Sequence, residues 1–260
     1  QRVAEVHPTA IVEAGAELDT DVSVGPYAII GANVRVGART CVGSHTILEG
    51  WSEIGPDCQI GSHVIIGAPP QDLKYDGEAT RVVIEERVIV REFASIHRAS
   101  TGGEGVTTVG AHAYLMAYVH IAHNCQVGPH VVMANLASLA GYVEIGEHAN
   151  IGGMAGIHQF VRIGPYAFVG ACSAVLQDIP PYVKVQGNRA KPFGLNVVGL
   201  RRHGLSREAL QALKEAYHIV FESELNTAQA LAQLTIGGSA FPEVQRFVDF
   251  IQRSRRGISK

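Results

Sequence analysis

From Val6 onward nearly every sixth residue of this chain is Val, Ile or Leu. Val6, Val12, Leu18, Val24, Ile30, Val36, Val42, Leu48, Ile54, Ile60 and Ile66 follow one another without a failure. The phase returns at Ile84, Val90 and Ile96, slips by one residue (96 to 109 is 13, not 12), and resumes at Val109. It then runs through Leu115, Ile121, Val127, Met133, Leu139, Ile145, Ile151, Ile157, Ile163, Val169 and Val175. A period of six suits neither an amphipathic helix nor a long alternating strand. It fits a parallel β-helix, a solenoid in which each short strand adds one rung.

Two further regularities narrow the architecture. The second hexad position is Gly thirteen times, as expected where a tight corner needs φ > 0 or an unhindered backbone. The fifth position is Ala, Val, Ser, Thr or Cys in 24 of 26 hexads, the exceptions being Pro70 and Ile179. Residues two apart on a strand face the same way, so position five and the next position one both point inward, one small and one aliphatic. Three hexads make a triangular coil. Stacked at roughly 4.8 Å, about eight or nine coils give a prism on the order of 40 Å long. The pattern leaves the handedness open, and the crossover rule favours a right-handed connection.

The bulk composition agrees with such an interior, 47% of residues being hydrophobic but only 7% aromatic. No run of about 18 apolar residues exists to span a membrane, and the start of the chain has no apolar signal region. Cys41, Cys58, Cys125 and Cys172 lie at least 17 residues apart, which leaves no CxxC metal knuckle. Cys58 and Cys125 fall at small interior positions, as free thiols used for packing do. These points together suggest a cytoplasmic protein. The charge is uneven: residues 1–183 carry 9 Lys+Arg against 18 Asp+Glu, and residues 184–260 carry 12 against 6. A basic end on an acidic body suits an anionic partner, although a solvated helical surface gives the same count.

The sequence divides into a β-helix over residues 1–183 and a connecting segment with an α-helical domain over 184–260. Ser206 is the expected N-cap of a helix over 207–223, Thr227 caps a second, and Pro242 opens a third over 242–255. These helices are expected to cover the open end of the prism, which would otherwise expose an unpaired strand. Two segments break the hexads, 68–81 with Pro69-Pro70-Gln71-Asp72-Leu73-Lys74-Tyr75, and about 101–108 with Gly102-Gly103-Glu104-Gly105. Long loops thrown out of a regular scaffold tend to be functional.

Of the twelve histidines, His112, His130 and His148 share one hexad position and stack along an edge, which reads as a solvated structural repeat. His120 and His123 differ. They occupy no inward position and lie on the outer wall, where an imidazole on a rigid strand suits general-base work or simply a polar surface. Three-histidine zinc sites need a spacing that is absent around them, so no metal is expected. A non-catalytic solenoid presenting a flat surface is the competing reading, but it needs neither the loops nor the outward histidines.

The stretches Gln71-Asp72-Leu73-Lys74-Tyr75, Ile96-His97-Arg98, His120-Ile121-Ala122-His123, Ile157-His158-Gln159-Phe160, Gln186-Gly187-Asn188 and Arg201–Ala209 closely resemble the UDP-N-acetylglucosamine O-acyltransferase family. Its members begin lipid A biosynthesis by moving an (R)-3-hydroxyacyl chain from acyl carrier protein to the 3-position of the sugar. The likeness spans essentially the whole chain. It implies an all-β left-handed parallel β-helix with a small α-helical C-terminal domain, and a homotrimer with sites between prisms. It also implies His123 as general base and the Gly141 N–H as oxyanion donor. Asp72 and Lys74 would orient the substrates, His120, His158, Gln159, Asn196 and Arg202 would contact sugar, diphosphate or uridine, and Ala171 would set the acyl-chain length. No cofactor is implied beyond the phosphopantetheine of the carrier, and neither a nucleic acid nor an integral membrane segment. The carrier would dock on the basic tail.

The chain departs from the pattern where many relatives resemble one another in having His at the Tyr142 position, Asp at Asn124, a carboxylate at Val198 and Arg at His203. Losing the acid beside His123 weakens the base. This raises the alternative of the 3-amino analogue of the UDP-sugar as acceptor, because an amine needs less deprotonation before attack.

Overall fold

The computed structural model describes residues 3–238 and 240–260. Among these residues the chain forms three sheets of 11, 9 and 8 strands, parallel except for one final antiparallel pair, in which neighbouring strands are three apart in chain order until the last rung of the 11-stranded sheet. The chain meets the faces in turn, at Glu5–Val6, Ile11–Val12 and Glu17–Leu18, before returning to the first at Ser23–Val24. We call them the first, second and third faces. Most strands are two residues long. The first-position side chains from Val24 onward are buried, while Val6 at the open end is 39% exposed. The fifth-position residues Ala28, Val34, Val64 and Ala137 are also fully buried. Thr40 and Thr46, placed in that apolar interior, give their hydroxyls to the corner carbonyls of Gly55 and Gly61 at 2.8 and 2.6 Å. This is what lets a polar side chain fill a small interior position at little cost.

The corners turn differently from expectation. Of the thirteen second-position glycines only Gly67 has a positive φ. The left-handed backbone falls instead at the fourth position, on Asp21, Tyr27, Arg39, His45, Asn124, Tyr142, Phe160 and their equivalents. The second position demands Gly for space. At Gly43, for example, a Cβ would lie 2.5 Å from the backbone of Gly61 one coil on.

The two interruptions both leave the corner between the second and third faces. Strands Trp51–Ile54, Arg81–Ile84 and Val106–Val109 are consecutive neighbours on the third face. Ile66 to Ile84 is therefore one hexad step carrying twelve extra residues. Because twelve is two hexads, the phase survives the insertion. Ile96 to Val109 is likewise one step with seven extra residues, which is what the one-residue slip records. The second loop ends earlier than expected, since Val106 already begins a strand.

The solenoid's last rung, Val183–Gln186, pairs with Phe168–Val169 and straddles the expected boundary after residue 183. Its open edge is taken by the antiparallel strand Lys191–Leu195 rather than directly by a helix. Among the described residues four helices follow, α1 (Val197–Arg202), α2 (Arg207–Phe221), α3 (Thr227–Gly237) and α4 (Pro242–Gln252). Ser206 caps α2 through the Ala209 N–H, and Pro242 stands in the first turn of α4. Helix α3 is capped by Asn226 in a capping box with Gln229, not by Thr227. The tail returns to the prism at Asp178, whose buried carboxylate accepts from the Arg162 N–H at 2.8 Å and the Ser254 hydroxyl at 2.7 Å.

Candidate active site

The corner between the second and third faces gathers the candidate chemistry. His123 sits just after strand His120–Ile121, one residue before the turn residue Asn124. Gly141 is its counterpart one 18-residue coil later, and Gln159 the next. A Cβ at Gly141 would lie 2.6 Å from His123 Nε2 and Cε1. Gly141 is thus the gap that accommodates the imidazole, and the ring lies directly against its backbone. Among the described residues the Gly141 N–H has no protein acceptor, so a base and a free amide donor stand side by side on a rigid wall. Tyr142 places its ring edge-on to His123, centroids 5.3 Å apart at 89°, and stacks on Phe160 at 4.8 Å.

His123 Nδ1–H donates to Asn124 Oδ1 at 2.9 Å. The Ser100 N–H donates to the same oxygen at 2.9 Å, and the Ser100 hydroxyl donates to Asp72 Oδ2 at 2.7 Å. Both insertions are therefore wired to the histidine. Asp72 is held below the usual carboxylate range by the Lys74 N–H, then by the Ser100 hydroxyl, with a further contribution from His123. The Lys74 side chain is exposed.

The first insertion is anchored from the coil after it. Arg98 donates to the Gly67 carbonyl at 2.7 Å and to the Tyr75 hydroxyl through Nε and Nη2, its guanidinium facing the Trp51 and Tyr75 rings. His97 Nδ1–H donates to the Pro69 carbonyl at 2.7 Å, and the Thr80 hydroxyl donates to the Ala99 carbonyl. The sequence marked His97 and Arg98 as part of a motif, weighed His97 besides only as an upstream zinc ligand without a pair, and gave Ser100 and Trp51 no role. Nothing in the hexad spacing pairs residue 98 with residue 75.

The other expected residues are more dispersed. His120 points outward on the second face beside Ser95 (2.8 Å) and edge-on to His97, where burial and then the neighbouring His97 push its pKa down to about 4. It is a neutral imidazole at pH 7. His158 and Gln159 are exposed two coils beyond His123, with an Arg256 nitrogen 3.3 Å from His158 Nδ1. Asn196 lies at a different corner, between the third and first faces, where it caps α1 through Gly199 N–H and donates to the Tyr166 carbonyl at 3.0 Å. Arg202, exposed at the end of the same helix, belongs to that corner too. There His112, His130 and His148 stack at 4.7 and 4.5 Å, and His148 is half-buried under His203. The ladder is solvated along His112 and His130 and covered at its top. Ala171 is exposed on the remaining corner, between the first and second faces. Within one chain, His123, Gly141 and Asp72 come together, while Asn196, Arg202 and Ala171 stand on other edges.

No group of three or more metal-binding side chains occurs among the described residues. The four cysteines are free, with Cys58 and Cys125 buried. Burial pushes the Cys125 thiol up to about 12, which suits packing rather than reactivity.

A parallel β-helix that sets an outward histidine against a free backbone N–H is the build of a hexapeptide-repeat acyltransferase. Comparisons with known proteins specify the member. The chain is 48% identical over 260 residues to the acyl-[acyl-carrier-protein]–UDP-N-acetylglucosamine O-acyltransferase of Paraburkholderia phymatum, covering 98% of this chain and 99% of that one. It is 47% identical to the enzyme of the same name from Thermodesulfovibrio yellowstonii, with the same coverage. The structure matches the UDP-N-acetylglucosamine O-acyltransferase of Moraxella catarrhalis with a TM-score of 0.95 at 42% identity, over 98% of this chain and 99% of that one. It matches LpxA from Acinetobacter baumannii with a TM-score of 0.94 at 41% identity over the same shares. A family model described as UDP N-acetylglucosamine O-acyltransferase, domain 2, matches residues 178–259. The chain belongs to the UDP-N-acetylglucosamine O-acyltransferase family. Its winding is left-handed, against the crossover preference. Two-residue strands carry little of the twist on which that preference rests.

Proposed function

We propose that this protein transfers an (R)-3-hydroxyacyl chain from acyl carrier protein to the 3-position of UDP-N-acetylglucosamine, the first step of lipid A biosynthesis. The observation that carries the reading is the contact between the His123 ring and the Gly141 backbone. His123 Nε2 takes the proton of the sugar hydroxyl as its oxygen attacks the thioester carbonyl. The Gly141 N–H holds the oxyanion, a donor worth about 3 kcal/mol in comparable sites. Collapse expels the pantetheine thiolate, which recovers the proton from the imidazolium. Asp72 and Lys74 orient the substrates from the first loop.

The site is completed between copies of this chain. Asn196 and Arg202, assigned to nucleotide contacts, stand on a corner that His123 does not share. The corner between the first and second faces carries an exposed ridge of Phe93, Tyr118, Leu136 and Met154, 45–58% exposed. A homotrimer joins the corners and covers the ridge, with His120, His158 and Gln159 lining the sugar side of the cleft and Ala171 meeting the end of the acyl chain. The basic tail docks the acidic carrier. The reaction needs no cofactor beyond the carrier's phosphopantetheine. No helix among the described residues is long and apolar enough to cross a membrane. We assign the protein to the cytoplasm, where its free cysteines stay reduced.

One observation favours a second acceptor. The group beside His123 is a neutral amide, which suits a 3-amino sugar whose nitrogen needs less help from a base. Mass spectrometry of the product formed from mixed acyl carrier proteins and both UDP-sugars tests the proposal. An ester on the 3-hydroxyl is the expected product. An amide made in strong preference selects the amino acceptor, and no acylated sugar at all contradicts the reading.

A further inference from the structure

Asn124 and Tyr142, neighbours in the turn column one coil apart, hold the same loop. Asn124 Nδ2 donates to the Gly102 carbonyl at 3.1 Å and to the Ser100 carbonyl at 3.3 Å. The Tyr142 hydroxyl donates to the carbonyl next to Gly102, that of Thr101, at 3.2 Å. Both side chains also touch the base, Asn124 by its hydrogen bond and Tyr142 by its ring edge.

The amide of Asn124 can sit only one way round. Its oxygen accepts from two N–H groups, those of Ser100 and His123, and its nitrogen faces two carbonyl oxygens. Exchanging the two atoms would set donors against a donor and an acceptor against acceptors. The residue is buried, and its own N–H donates to Thr107 Oγ1 at 2.8 Å. A fixed acceptor at His123 Nδ1 keeps the proton on that nitrogen and leaves the Nε2 lone pair open.

We infer that Asn124 and Tyr142 are one positioning unit, which clamps the Thr101–Gly102 segment and through it fixes His123 as the Nδ1–H tautomer. The inference rests on the reading of His123 as base. A carboxylate at position 124 would meet the Ser100 and Gly102 carbonyls oxygen to oxygen, while those carbonyls stay where Tyr142 holds them. An imidazole at position 142 has no hydroxyl to bring to Thr101. The two side chains therefore suit each other, and an acid placed at position 124 alone should harm this protein rather than help it.

A double-mutant cycle over Asn124→Asp and Tyr142→His tests the unit, with UDP-N-acetylglucosamine and 3-hydroxyacyl carrier protein as substrates and 15N spectra reporting the His123 tautomer. Asn124→Asp alone is expected to lower kcat by about tenfold or more, part of the 10²–10⁴-fold that proton-transfer catalysis typically carries, with KM little changed. The double variant is expected to be more active than Asn124→Asp alone, a non-additivity typical of groups that share a partner. Asn124→Ala is expected to replace the single tautomer by a mixture. Tyr142→Phe, which keeps the ring and loses only the hydroxyl, should lower kcat a few-fold even if a bulkier change misfolds. Full activity of Asn124→Asp, strict additivity, or an unmixed Nδ1–H tautomer in Asn124→Ala would each overturn the inference. His123→Ala separates the two readings. If that variant keeps turnover, the base assignment fails whatever the tautomer does. If it is inactive while Asn124→Ala keeps its tautomer, only the positioning unit fails.

Discussion

Two corners of the same prism are built from one backbone and do different things. At the corner between the first and second faces, the turn residues Tyr27, His45, His63, Phe93 and Tyr118 stack ring on ring at 4.8–5.0 Å. No insertion leaves that corner, and its column continues through Leu136 and Met154 as an apolar ridge. At the corner between the second and third faces, the corresponding column holds Asn124, Tyr142 and Phe160 in the same left-handed turn. Two loops leave there, and hydrogen bonds from their residues run through Ser100 to Asn124, the residue that bonds His123. The coil supplies rigid spacing at both corners. What differs is the turn residue and the chain that departs beside it, so the chemistry is local to one edge.

The comparison can be broken most sharply at Gly141. Gly141→Ala would drive its methyl into the His123 ring, and the expected result is a loss of turnover on the order of 10²-fold or more with the fold intact. Near-normal kcat would show that the histidine need not sit there. Leu139→Ala probes the wall beneath the same corner. Leu139 is fully buried, so thermal or denaturant unfolding should register a loss of about 2–5 kcal/mol. The protein that remains folded should turn over normally. A change in kcat without a change in stability would mean that wall and corner are not separable.

Arg98→Ala removes the tie between the loop over residues 68–81 and the prism. A several-fold rise in KM and faster proteolysis of that loop are expected, with kcat little altered. The smallest effect concerns His120, whose pKa is lowered to about 4 by burial. Above its ordinary value of 6.5 neither the folded nor the unfolded state is charged, so it contributes nothing to pH dependence there. As pH falls from 6.5 toward 4 the unfolded state takes up the proton first, and stability drops until the folded state also protonates. His120→Gln should flatten that part of the stability profile relative to the parent chain; an unchanged profile would contradict the burial argument.

The wall was legible because a period of six writes itself into every rung, as at Ile121, Leu139 and Ile157. The pairing of His123 with Gly141 was also within reach, since 18 residues is one coil. The insertions were only half readable. The seven extra residues after Ile96 showed themselves by breaking the phase, whereas the twelve after Ile66 preserved it and showed themselves only by their residues, with Asp72 and Glu78 standing where the repeat wants an aliphatic side chain. The hydrogen bonds from Asp72 to Ser100 and from Ser100 to Asn124 join residues 28 and 24 apart. That distance is set by loop lengths, which no repeat encodes. Asn196 shows the opposite limit: its place on another corner follows only once the coils are counted in three dimensions.

The central claim is that His123 is the base of an acyl transfer to the UDP-sugar. Its most direct test is the kcat of His123→Ala alongside its assembly state by sedimentation. The account predicts a fall in turnover of about 10²–10⁴-fold, with sedimentation indistinguishable from that of the parent protein. Turnover within a few-fold of the parent, in protein that is correctly assembled, would contradict it.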